Sequence, residues 1–404
     1  MKIAFLTSEF PHPKMGSSGG IGTSILNLSK GLTNAGHEVS ILIYGQKKDE
    51  FFIENGISYY SIKNVKLKGF SRLFTQNKIQ KLINKLVKEN KVELLEAPDW
   101  TGITSNIKPK CPVVIRLNGS DTYFCHLDNR RVKFLNKFHE KKALQNADAL
   151  LSVSQYTANL TNELFELNED FTIIPNSIDT NKFINESFDI TEENTILYFG
   201  TLIRKKGLLE LPLIFNEVYK KNNFAKLILI GRDASDIISG NVSTWAMMQK
   251  LFDADALQNV TYLGSVAYDK IKEHINSASV CVFPTFAEAL PVSWIEAMAL
   301  QKTIVASDIG WATEVIDDGI NGFLVHPTAH SKYADKILEL LGNQELRNKL
   351  GIEARKKVEE KFSIDVVAQK NLDFYKKIIH ENVCKKKLNL NSHLTKNLFV
   401  FFFR

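Results

Sequence analysis

The segment VCVFPTFAEALPVSWIEAMAL, residues 280–300, passes from an apolar run through a loop into a helical pattern. Its first residues, Val280–Pro284, form a short run without polar alternation, which is typical of a parallel strand covered on both faces. Pro291 suits the first turn of a helix, because it has no N–H to donate and its φ is already helical. The segment therefore predicts a buried strand whose carboxyl end is joined by a loop to a helix.

Short apolar runs of this kind recur along the chain, separated by stretches with apolar residues at helical spacing. In the N-terminal half the predicted strands are Lys2–Thr7, His37–Tyr44, Val92–Ala97, Val113–Leu117, Ala149–Ser154 and Thr172–Pro175. In the C-terminal half they are Thr195–Phe199, Leu227–Ile230, Val260–Leu263, Val280–Pro284, Thr303–Ala306 and Phe323–Val325. The alternation of strands and helices predicts parallel βαβ units. Because all these strands would make an unusually wide single sheet, we expect two doubly wound, Rossmann-like α/β domains.

The length of 404 residues also favours two domains, because it exceeds what one hydrophobic core usually supports. We expect the first domain over residues 1–180 and the second over residues 181–364, with the polar segment Asp179–Glu193 as the linker. Residues 365–382 are predicted to form a last amphipathic helix. Residues 383–404 turn basic and end on LFVFFFR, so we expect a tail that belongs to neither domain.

The composition favours a soluble globular protein of the reducing cytoplasm, with 44% hydrophobic and 24% charged residues. The four cysteines show neither a CxxC pair nor zinc-ligand spacing, which argues against a disulfide framework or a structural metal. The N-terminus lacks the long apolar core of a signal peptide, and no apolar run is long enough to span a bilayer. The net charge of +6 gives little support to nucleic-acid binding, but it is compatible with anionic substrates or an anionic membrane surface.

We expect the catalytic and binding residues in the loops that follow the strands. Ligands of open parallel sheets bind beyond the carboxyl ends of the strands, near helix N-termini. In the segment 280–300, Glu288 lies in such a loop and Glu296 lies on the helix that follows. A carboxylate here can accept hydrogen bonds from sugar hydroxyls, beside amides that bind a diphosphate. Leu290 and Pro291 complete the candidate donor-binding residues of the segment. The alternative interpretation is that Glu288 only complements the helix dipole and that Glu296 is a surface residue.

A basic loop follows another predicted strand, in the sequence FGTLIRKKG, residues 199–207. Gly200 and Gly207 bracket this loop, which carries Arg204 and Lys206. Fixed cations at the carboxyl end of a strand can neutralise the charge that accumulates on a leaving nucleotide diphosphate. Arg204 and Lys206 are therefore candidate catalytic residues, and the alternative is an ordinary basic surface loop.

The first predicted strand leads into a glycine-rich loop, SEFPHPKMGSSGGIG, residues 8–22. Gly19 and Gly20 are expected to open the first long helix, so that the backbone can approach a phosphate closely. The loop departs from the dinucleotide fingerprint, because its glycines come late and no acidic residue closes the second strand at Tyr44. We therefore predict a phosphate or sugar loop rather than a dinucleotide site, and no cofactor besides the donor substrate.

Taken together, these residues resemble the retaining glycosyltransferases of family 4, which have the GT-B fold. The resemblance runs from Met1 to about Ile379, and its most specific part is EALPVSWIE, where Glu288 and Glu296 are separated by seven residues. The sequences IPNSID, from Ile174, and DGINGFLV, from Asp318, are also similar to the family. The GT-B fold implies two Rossmann-like domains that face each other across a cleft, with a C-terminal helix that crosses back to the first domain.

The resemblance implies a metal-independent enzyme that moves a sugar from a nucleotide-diphosphate donor with retention of anomeric configuration. In the family the first glutamate contacts the transferred sugar and the second contacts the ribose, and these are Glu288 and Glu296 here. Lys206 and helix amides would stabilise the leaving phosphate, which itself takes the acceptor proton. UDP is the commoner nucleotide, ahead of GDP, and the acceptor would be a glycan or a lipid-linked sugar in polysaccharide or lipopolysaccharide biosynthesis.

Two positions depart from the family pattern. Thr201 stands where the family carries an arginine after the first glycine of the basic loop, and we predict that Arg204 supplies the missing charge. In RLNGSD, Asn118 stands where relatives often carry a histidine; asparagine can hydrogen-bond a hydroxyl but cannot act as a general base near neutral pH. Asn118 and Asp121 are candidate acceptor residues, and helix capping is an equally weighted interpretation of Asp121.

Three other interpretations stay open. A nucleotide-sugar epimerase shares the fold, and a non-catalytic two-domain ligand-binding protein would also have paired α/β domains around a cleft. The acidic pair Asp253 and Asp255 suggests a metal-dependent transferase, but it lies at a predicted helix end rather than after a strand. That position favours a structural role for the pair.

One predicted helix carries KIQKLINKLVKENK, residues 78–91, with lysines around one apolar face that consists of Ile79, Leu82, Ile83 and Leu86. Such a helix can rest on an anionic lipid surface, or it can cover its own sheet with its lysines in water, which is favoured. In the first arrangement the protein would be peripheral on the inner face of the cell membrane. The aromatic end of the tail would then add membrane affinity.

Overall fold

The computed structural model describes the backbone of residues 1–15, 18–184 and 192–402, and the side chains of these residues except 268, 269 and 385–402. Within these ranges the chain forms one sheet of eight strands and one of six. The first sheet ends with Ile173 and the second begins with Thr195. The prediction of two doubly wound α/β domains is therefore confirmed.

The first domain alternates strands with helices on both faces of its sheet. Its strands are β1 (Lys2–Thr7), β2 (Glu38–Gln46), β3 (Glu50–Glu54), β4 (Ile57–Lys63), β5 (Leu94–Pro98), β6 (Val113–Leu117), β7 (Ala149–Ser152) and β8 (Thr172–Ile173). Its helices are α1 (Gly20–Asn34), α2 (Ser71–Lys88), α3 (Asp121–Leu127), α4 (Phe134–Asn146) and α5 (Gln155–Phe165), with a 3-10 turn at Trp100–Gly102. The strand order is β3-β4-β2-β1-β5-β6-β7-β8, so the loops after β1 and β5 meet at the topological switch point.

The hairpin formed by β3 and β4 is antiparallel and is absent from the predicted strands. Its turn is Asn55–Gly56, and both residues have positive φ, +50° and +76°. This is the geometry of a two-residue type I′ turn, for which Asn-Gly is the preferred pair. The expectation of purely parallel βαβ units was therefore wrong at this edge of the sheet.

The first sheet is buried on both faces, as its unalternating strands predict. Along β1, Ile3 and Phe5 contribute to one core, and Ala4 and Leu6 contribute to the core on the opposite face. Successive side chains of a strand point to opposite faces, so both faces need cover. Helices accordingly pack on each side.

The predicted helix over residues 78–91 is the C-terminal part of α2. Its apolar residues Ile79, Ile83 and Leu86 are buried in the core under the sheet. The favoured interpretation, a helix that covers its own sheet, is confirmed. This face of α2 is not available to a lipid surface.

The second domain repeats the architecture with a fully parallel sheet. Its strands are β9 (Thr195–Phe199), β10 (Lys226–Ile230), β11 (Val260–Tyr262), β12 (Val280–Phe283), β13 (Ile304–Ala306) and β14 (Phe323–Leu324), in the order β11-β10-β9-β12-β13-β14. Its helices are α6 (Leu211–Lys221), α7 (Thr244–Gln249), α8 (Ala254–Leu257), α9 (Tyr268–Ser277), α10 (Val292–Ala299), α11 (Ala312–Val315), α12 (His330–Leu341) and α13 (Gln344–Lys361), with a 3-10 turn at Arg204–Lys206. The switch point lies between β9 and β12, and the loops after these strands carry Lys206 and Glu288.

The last helix, α14 (Ile364–Phe402), returns to the first domain and packs on α1. Tyr375 of α14 is fully buried in the core that α1 also lines. A Cβ on Gly31 of α1 would lie 2.8 Å from the side chains of Ile364 and Ala368. Glycine at this position therefore permits the close contact by which the chain crosses back.

The last helix is longer than predicted, and only part of the predicted linker is described. The helix expected over 365–382 is longer, because the backbone of residues 383–402, which we expected to form a tail, continues α14. Part of the predicted linker Asp179–Glu193 lies outside the described residues, as do residues 403–404. No helix among the residues described above is both long and apolar enough to cross a membrane.

Candidate active site

Lys206 and Glu288 meet at the switch point of the second sheet. Glu288 lies in the loop between β12 and α10, residues 284–291, which we call the donor loop. The Lys206 Nζ lies 2.9 Å from the Glu288 carboxylate, and both side chains are partly buried. Burial opposes the charge of Lys206, but the Glu288 carboxylate outweighs it and raises the lysine pKa above its ordinary value. A fixed ammonium group therefore lies where the leaving diphosphate is predicted.

The basic loop and the donor loop are also joined through their backbones. The carbonyl of Lys205 accepts hydrogen bonds from the amides of Phe286 and Ala287, at 2.9 and 3.2 Å. Gly207 has a φ of +71°, and a Cβ at this position would lie 1.7 Å from the carbonyl oxygen of Pro284. Only glycine fits at this contact. The two loops thus keep a fixed separation that does not depend on the ion pair between their side chains.

Glu296 lies on α10 and only 5% of its surface is exposed. It is close enough to Lys206 to contribute to the raised pKa of that lysine. The interpretation of Glu296 as a surface residue is therefore wrong. Pro291 caps α10 instead of lying in its first turn, and Leu290 is buried next to it.

Arg204 forms an ion pair inside the second domain. Its guanidinium donates to both carboxylate oxygens of Asp236, at 2.9 and 2.7 Å, and Asp236 is buried. These hydrogen bonds hold the pKa of the Asp236 carboxyl well below its usual range. Thr201 stands at the position of the family arginine. Its backbone carbonyl accepts a hydrogen bond from the Tyr198 hydroxyl, at 3.1 Å. The charge of Arg204 is thus already balanced, and its part in binding the diphosphate stays a prediction.

Three consecutive carbonyl groups of the donor loop each accept a hydrogen bond from a buried side chain of the first domain. The bonds join the Tyr123 hydroxyl to the Glu288 carbonyl (2.7 Å), the Ser154 hydroxyl to the Ala289 carbonyl (2.9 Å) and the Asn176 amide to the Leu290 carbonyl (3.0 Å). Because these bonds go to main-chain atoms, they fix the path of the loop as well as the distance between the domains. The first domain therefore holds the donor loop in place.

Two further contacts join the domains beside the donor loop. The carboxylate of Glu314 accepts hydrogen bonds from the amides of Gln155 and Tyr156, at 2.8 and 3.0 Å, where its charge complements the dipole of α5. The Lys205 ammonium lies 3.6 Å from the centre of the Phe124 ring, within the range of a cation–π interaction. The cleft is therefore closed by directional contacts next to the predicted donor site.

The glycines of the first loop open a helix as predicted, since Gly19 is the cap and Gly20 the first residue of α1. The Glu9 carboxylate lies at this helix end and accepts a hydrogen bond from the Gly22 amide, at 3.0 Å. A Cβ on Gly19 would lie 3.2 Å from the same carboxylate. A negative charge is thus already present, which favours a sugar over a phosphate among the two ligands predicted for this loop.

Asn118 lines a small cavity in the first domain, together with Ser24, Leu28 and Pro98. Its backbone amide donates to the carboxylate of Asp99 at 2.9 Å. Asp99 is buried, and burial raises its pKa to about 7. The loop that carries Asn118 is therefore anchored to the strand end at the first switch point.

Asp121 begins α3 but does not cap it. The cap is Ser120, whose hydroxyl accepts a hydrogen bond from the Tyr123 amide at 3.1 Å. The Asp121 carboxylate instead accepts from the side-chain amide of Asn136 on α4, at 2.8 Å. The capping interpretation is therefore wrong, and Asp121 stays a candidate acceptor residue.

Two family models match the chain in succession. The model described as "Glycosyltransferase Family 4" matches residues 18–182, and "Glycosyl transferases group 1" matches residues 179–357. The chain belongs to glycosyltransferase family 4. The two matches divide close to the boundary between the two sheets.

Relatives of this glycosyltransferase match over most of its length. An uncharacterized glycosyltransferase of Methanocaldococcus jannaschii is 25% identical over 399 residues, with 93% of this chain and 98% of the relative covered. The N-acetyl-alpha-D-glucosaminyl L-malate synthase of Bacillus anthracis is 23% identical over 383 residues, with 90% of this chain and 95% of the relative covered. The match therefore includes both domains.

Solved structures share the fold of the enzyme. Sucrose-phosphate synthase of Thermosynechococcus elongatus has a TM-score of 0.76 at 18% identity, covering 94% of this chain and 100% of that chain. Staphylococcus aureus TarM has a TM-score of 0.72 at 16% identity, covering 92% of this chain and 99% of that chain. The prediction of a GT-B fold is confirmed.

The acidic pair Asp253 and Asp255 lies away from the strand ends of the glycosyltransferase. Asp253 precedes the first residue of α8 and Asp255 lies within it, ahead of β11. Across the described ranges, no group of three or more histidine, cysteine or acidic side chains is placed to hold a metal ion. The position of the pair agrees with the structural interpretation.

Several residues of the glycosyltransferase site escaped the sequence-based search. The donor loop is held by Tyr123, Ser154 and Asn176. Tyr123 and Asn176 come shortly after predicted strands of the first domain, and Ser154 is the last residue of one. Asn176 also lies in IPNSID, which resembles the family without pointing to a role. Their positions near strand ends make them candidates, but the sequence does not indicate that they bind main-chain atoms of the donor loop.

Proposed function

We propose that this glycosyltransferase is a retaining, metal-independent enzyme that moves a sugar from a nucleotide-diphosphate donor to a glycan or lipid-linked acceptor in cell-surface polysaccharide biosynthesis. UDP is the proposed donor nucleotide, ahead of GDP. The observation that carries the proposal is the pair of Lys206 and Glu288, 2.9 Å apart at the carboxyl edge of the second sheet and next to the first domain.

In the proposed reaction the bond between the anomeric carbon and the donor phosphate breaks, while the acceptor oxygen bonds to the same carbon on the same face. The proton of the acceptor hydroxyl passes to the phosphate oxygen that leaves. Negative charge grows on the diphosphate during this step, so Lys206 and the amides at the start of α10 stabilise it. Glu288 accepts hydrogen bonds from the sugar hydroxyls.

Metal independence is proposed because a protein cation lies where a divalent ion would otherwise neutralise the diphosphate. The loop contact at Gly207 fixes the backbone that carries Lys206, so only the partner of its ammonium group changes when the donor binds. The mechanism needs no general base at Asn118, since the leaving phosphate takes the proton.

Similar proteins support the proposed donor and pathway. The TarM structure and that of HepE from Anabaena contain UDP. A GDP-mannose-dependent mannosyltransferase of Mycobacterium tuberculosis, 23% identical over 243 residues, places GDP second. A capsular polysaccharide biosynthesis glycosyltransferase of Staphylococcus aureus, 27% identical over 206 residues, supports a role in cell-surface glycans.

The test is nucleotide release from UDP- and GDP-sugars with free and lipid-linked sugar acceptors, with and without a metal chelator. Lys206→Ala and Glu288→Ala should lose acceptor-stimulated release. Lys221→Ala is the matched control, because Lys221 is an exposed lysine of the same domain that pairs with Asp335, and this variant should keep the activity.

Each contradicting result points to a different alternative. Turnover of the donor without an acceptor would favour an epimerase, and binding without release across the panel would favour a non-catalytic ligand-binding protein. Loss of release in the chelator would mean a metal-dependent reaction. An inverted anomeric configuration in the product would exclude the retaining mechanism.

A further inference from the structure

The first domain exposes a concentration of large apolar side chains around the starts of α2 and α4. The exposed residues are Leu67, Phe70, Leu73, Phe74, Phe134, Leu135 and Phe138. Phe134 is 79% exposed and Leu135 is 65% exposed. Contiguous exposed apolar surface of this kind marks a site for another molecule, whereas single exposed residues need no explanation.

The two stretches belong to one surface. Each helix leads into a parallel strand of the same sheet, α2 into β5 and α4 into β7, so both helices begin towards the carboxyl edge of the sheet, where the cleft lies. Ser105 joins the helices, because its hydroxyl lies 3.1 Å from the side-chain amide of Gln76 on α2 and 2.8 Å from the ring of His139 on α4. We call residues 66–77 and 129–139 together the rim surface.

The rim surface is basic. Its cations are Lys66, Lys68, Arg72, Arg130, Arg131, Lys133 and Lys137, and neither stretch contains an aspartate or a glutamate. Arg72 and Arg130 are held by hydrogen bonds within the protein, and the side chains of the other five are exposed. Apolar side chains between exposed cations complement acyl chains that lie beneath anionic headgroups.

The rim surface is rigidly connected to the candidate acceptor residue. Asn136, which lies within the rim surface, donates to the Asp121 carboxylate at 2.8 Å. One turn further along α4, the Glu140 carboxylate accepts hydrogen bonds from the amides of Asp121 and Thr122, at 3.0 and 3.2 Å. Whatever docks on the rim surface is therefore held beside the first-domain side of the cleft.

We propose that the rim surface docks this glycosyltransferase on an anionic lipid bilayer. Phe134 and Leu135 enter the acyl region, and Arg131, Lys133 and Lys137 contact the phosphate headgroups. The surface is distinct from the buried face of α2 that carries Ile79. Docking brings Asp121 close to the membrane plane, where the sugar of a lipid-linked acceptor lies; that consequence rests on the proposed function, whereas docking itself does not.

The purified full chain is mixed with vesicles of phosphatidylcholine alone or of phosphatidylcholine with phosphatidylglycerol, and the bound fraction is measured by co-sedimentation. The parent should bind the anionic vesicles more tightly. The double variant Phe134→Ser/Leu135→Ser should lower the partition coefficient by about tenfold or more, because two large apolar side chains no longer enter the bilayer. The double variant Arg131→Glu/Lys133→Glu should lose about tenfold or more on anionic vesicles only.

The matched controls are in the second domain, whereas the rim surface belongs to the first. Phe224→Ser removes a phenylalanine that is 74% exposed, and Lys349→Glu reverses an exposed lysine on α13; both should bind as the parent does. All variants should keep the parent midpoint of thermal unfolding and the parent rate of nucleotide release with a free sugar acceptor. A failure of docking is thereby separated from a failure of the proposed reaction.

Equal binding by the parent and both rim variants would overturn the proposal, and so would a parent that binds neither kind of vesicle. Self-association of the parent that the Phe134→Ser/Leu135→Ser variant abolishes, without lipid binding, would instead identify the rim surface as a contact between two copies of the chain.

Discussion

Replacing Tyr123 by phenylalanine removes one hydroxyl group from the contact between the domains. In the structure this hydroxyl donates to the Glu288 carbonyl at 2.7 Å, and the Tyr123 side chain is fully buried. Phenylalanine keeps the ring and its edge-to-face packing on Phe124, with 5.3 Å between the ring centres. The change therefore removes the hydrogen-bond donor to one carbonyl of the donor loop. It also removes the acceptor of a longer hydrogen bond from the Thr157 hydroxyl, at 3.4 Å, but that hydroxyl keeps the Ala289 carbonyl as an acceptor at 3.3 Å.

The magnitude follows from leaving that carbonyl unsatisfied when the domains are closed. A buried acceptor without a partner costs about 1–3 kcal/mol. The cost falls on the closed arrangement, in which Glu288 is held beside Lys206, because water hydrates the same carbonyl when the cleft opens. With about 1.4 kcal/mol for each factor of ten, kcat/KM is expected to fall roughly fivefold to 150-fold.

The assay is steady-state nucleotide release at varied donor concentration with saturating acceptor, alongside thermal unfolding. Tyr156→Phe is the matched control, because the Tyr156 ring packs against Trp311 in the same interface, 5.9 Å between centres, while its hydroxyl has no hydrogen-bond partner among the described residues. This control should keep the parent kcat/KM. The reasoning is refuted if Tyr123→Phe retains the parent kcat/KM, or if both variants lose activity equally.

Three further predictions follow from the charged groups. Lys206→Ala should lower kcat by about a hundredfold to a thousandfold in the nucleotide-release assay, because the leaving diphosphate loses its cation, and Lys206→Arg should recover part of the loss. Arg204→Ala should destabilise the protein by about 1 kcal/mol in thermal unfolding, since it leaves buried Asp236 without its partly exposed partner. The folded pKa of Asp236 lies well below its unfolded value, so this loss should be complete at neutral pH. It should begin to shrink only below about pH 4 and disappear as the pH falls through the lowered folded pKa; a loss that does not depend on pH would contradict the assignment. Asp99→Asn should stabilise the protein progressively from about pH 4 to about pH 7, because the folded pKa of Asp99 is raised to about 7 and the stability of its protonated form is lost as the pH rises through that range. If the variant and the parent have the same midpoint of unfolding above pH 7, the pKa of Asp99 is not raised in the fold.

Most of the fold could be predicted because parallel strands buried on both faces leave a local signal. The bounds of β1, β6 and β9 are those predicted, and other strands differ mainly at their ends. The hairpin of β3 and β4 was missed because the apolar residues of β3 (EFFIE) and β4 (ISYYSIK) are interrupted by polar ones and form no long apolar run, although Asn55–Gly56 is a strong turn signal. The longer α14 was missed because the composition changes after residue 382 while the helical backbone continues.

Site residues could be predicted from the sequence only where their side chains are ionisable and follow a strand. Lys206 and Glu288 are ionisable groups after strands, so the sequence identifies them. The partners of the donor loop are different, because Tyr123 and Asn176 bind main-chain carbonyls, which every residue possesses. Such a contact leaves no mark in the sequence of the donor loop and becomes visible only when the two domains are brought together.

Both cations of the basic loop that are predicted to bind the diphosphate are paired with carboxylates of the protein. Lys206 is paired with Glu288, and Arg204 is paired with Asp236. In the proposed mechanism a diphosphate that reaches Lys206 shares or replaces the Glu288 carboxylate, which then accepts hydrogen bonds from the sugar hydroxyls. Because one anion takes the place of another beside the same ammonium group, Lys206 is never left buried without a counter-charge during the exchange. In the proposed mechanism this exchange of partners couples the arrival of the diphosphate to the positioning of the sugar, and the contact between the two loops at Gly207 keeps both groups within reach of each other.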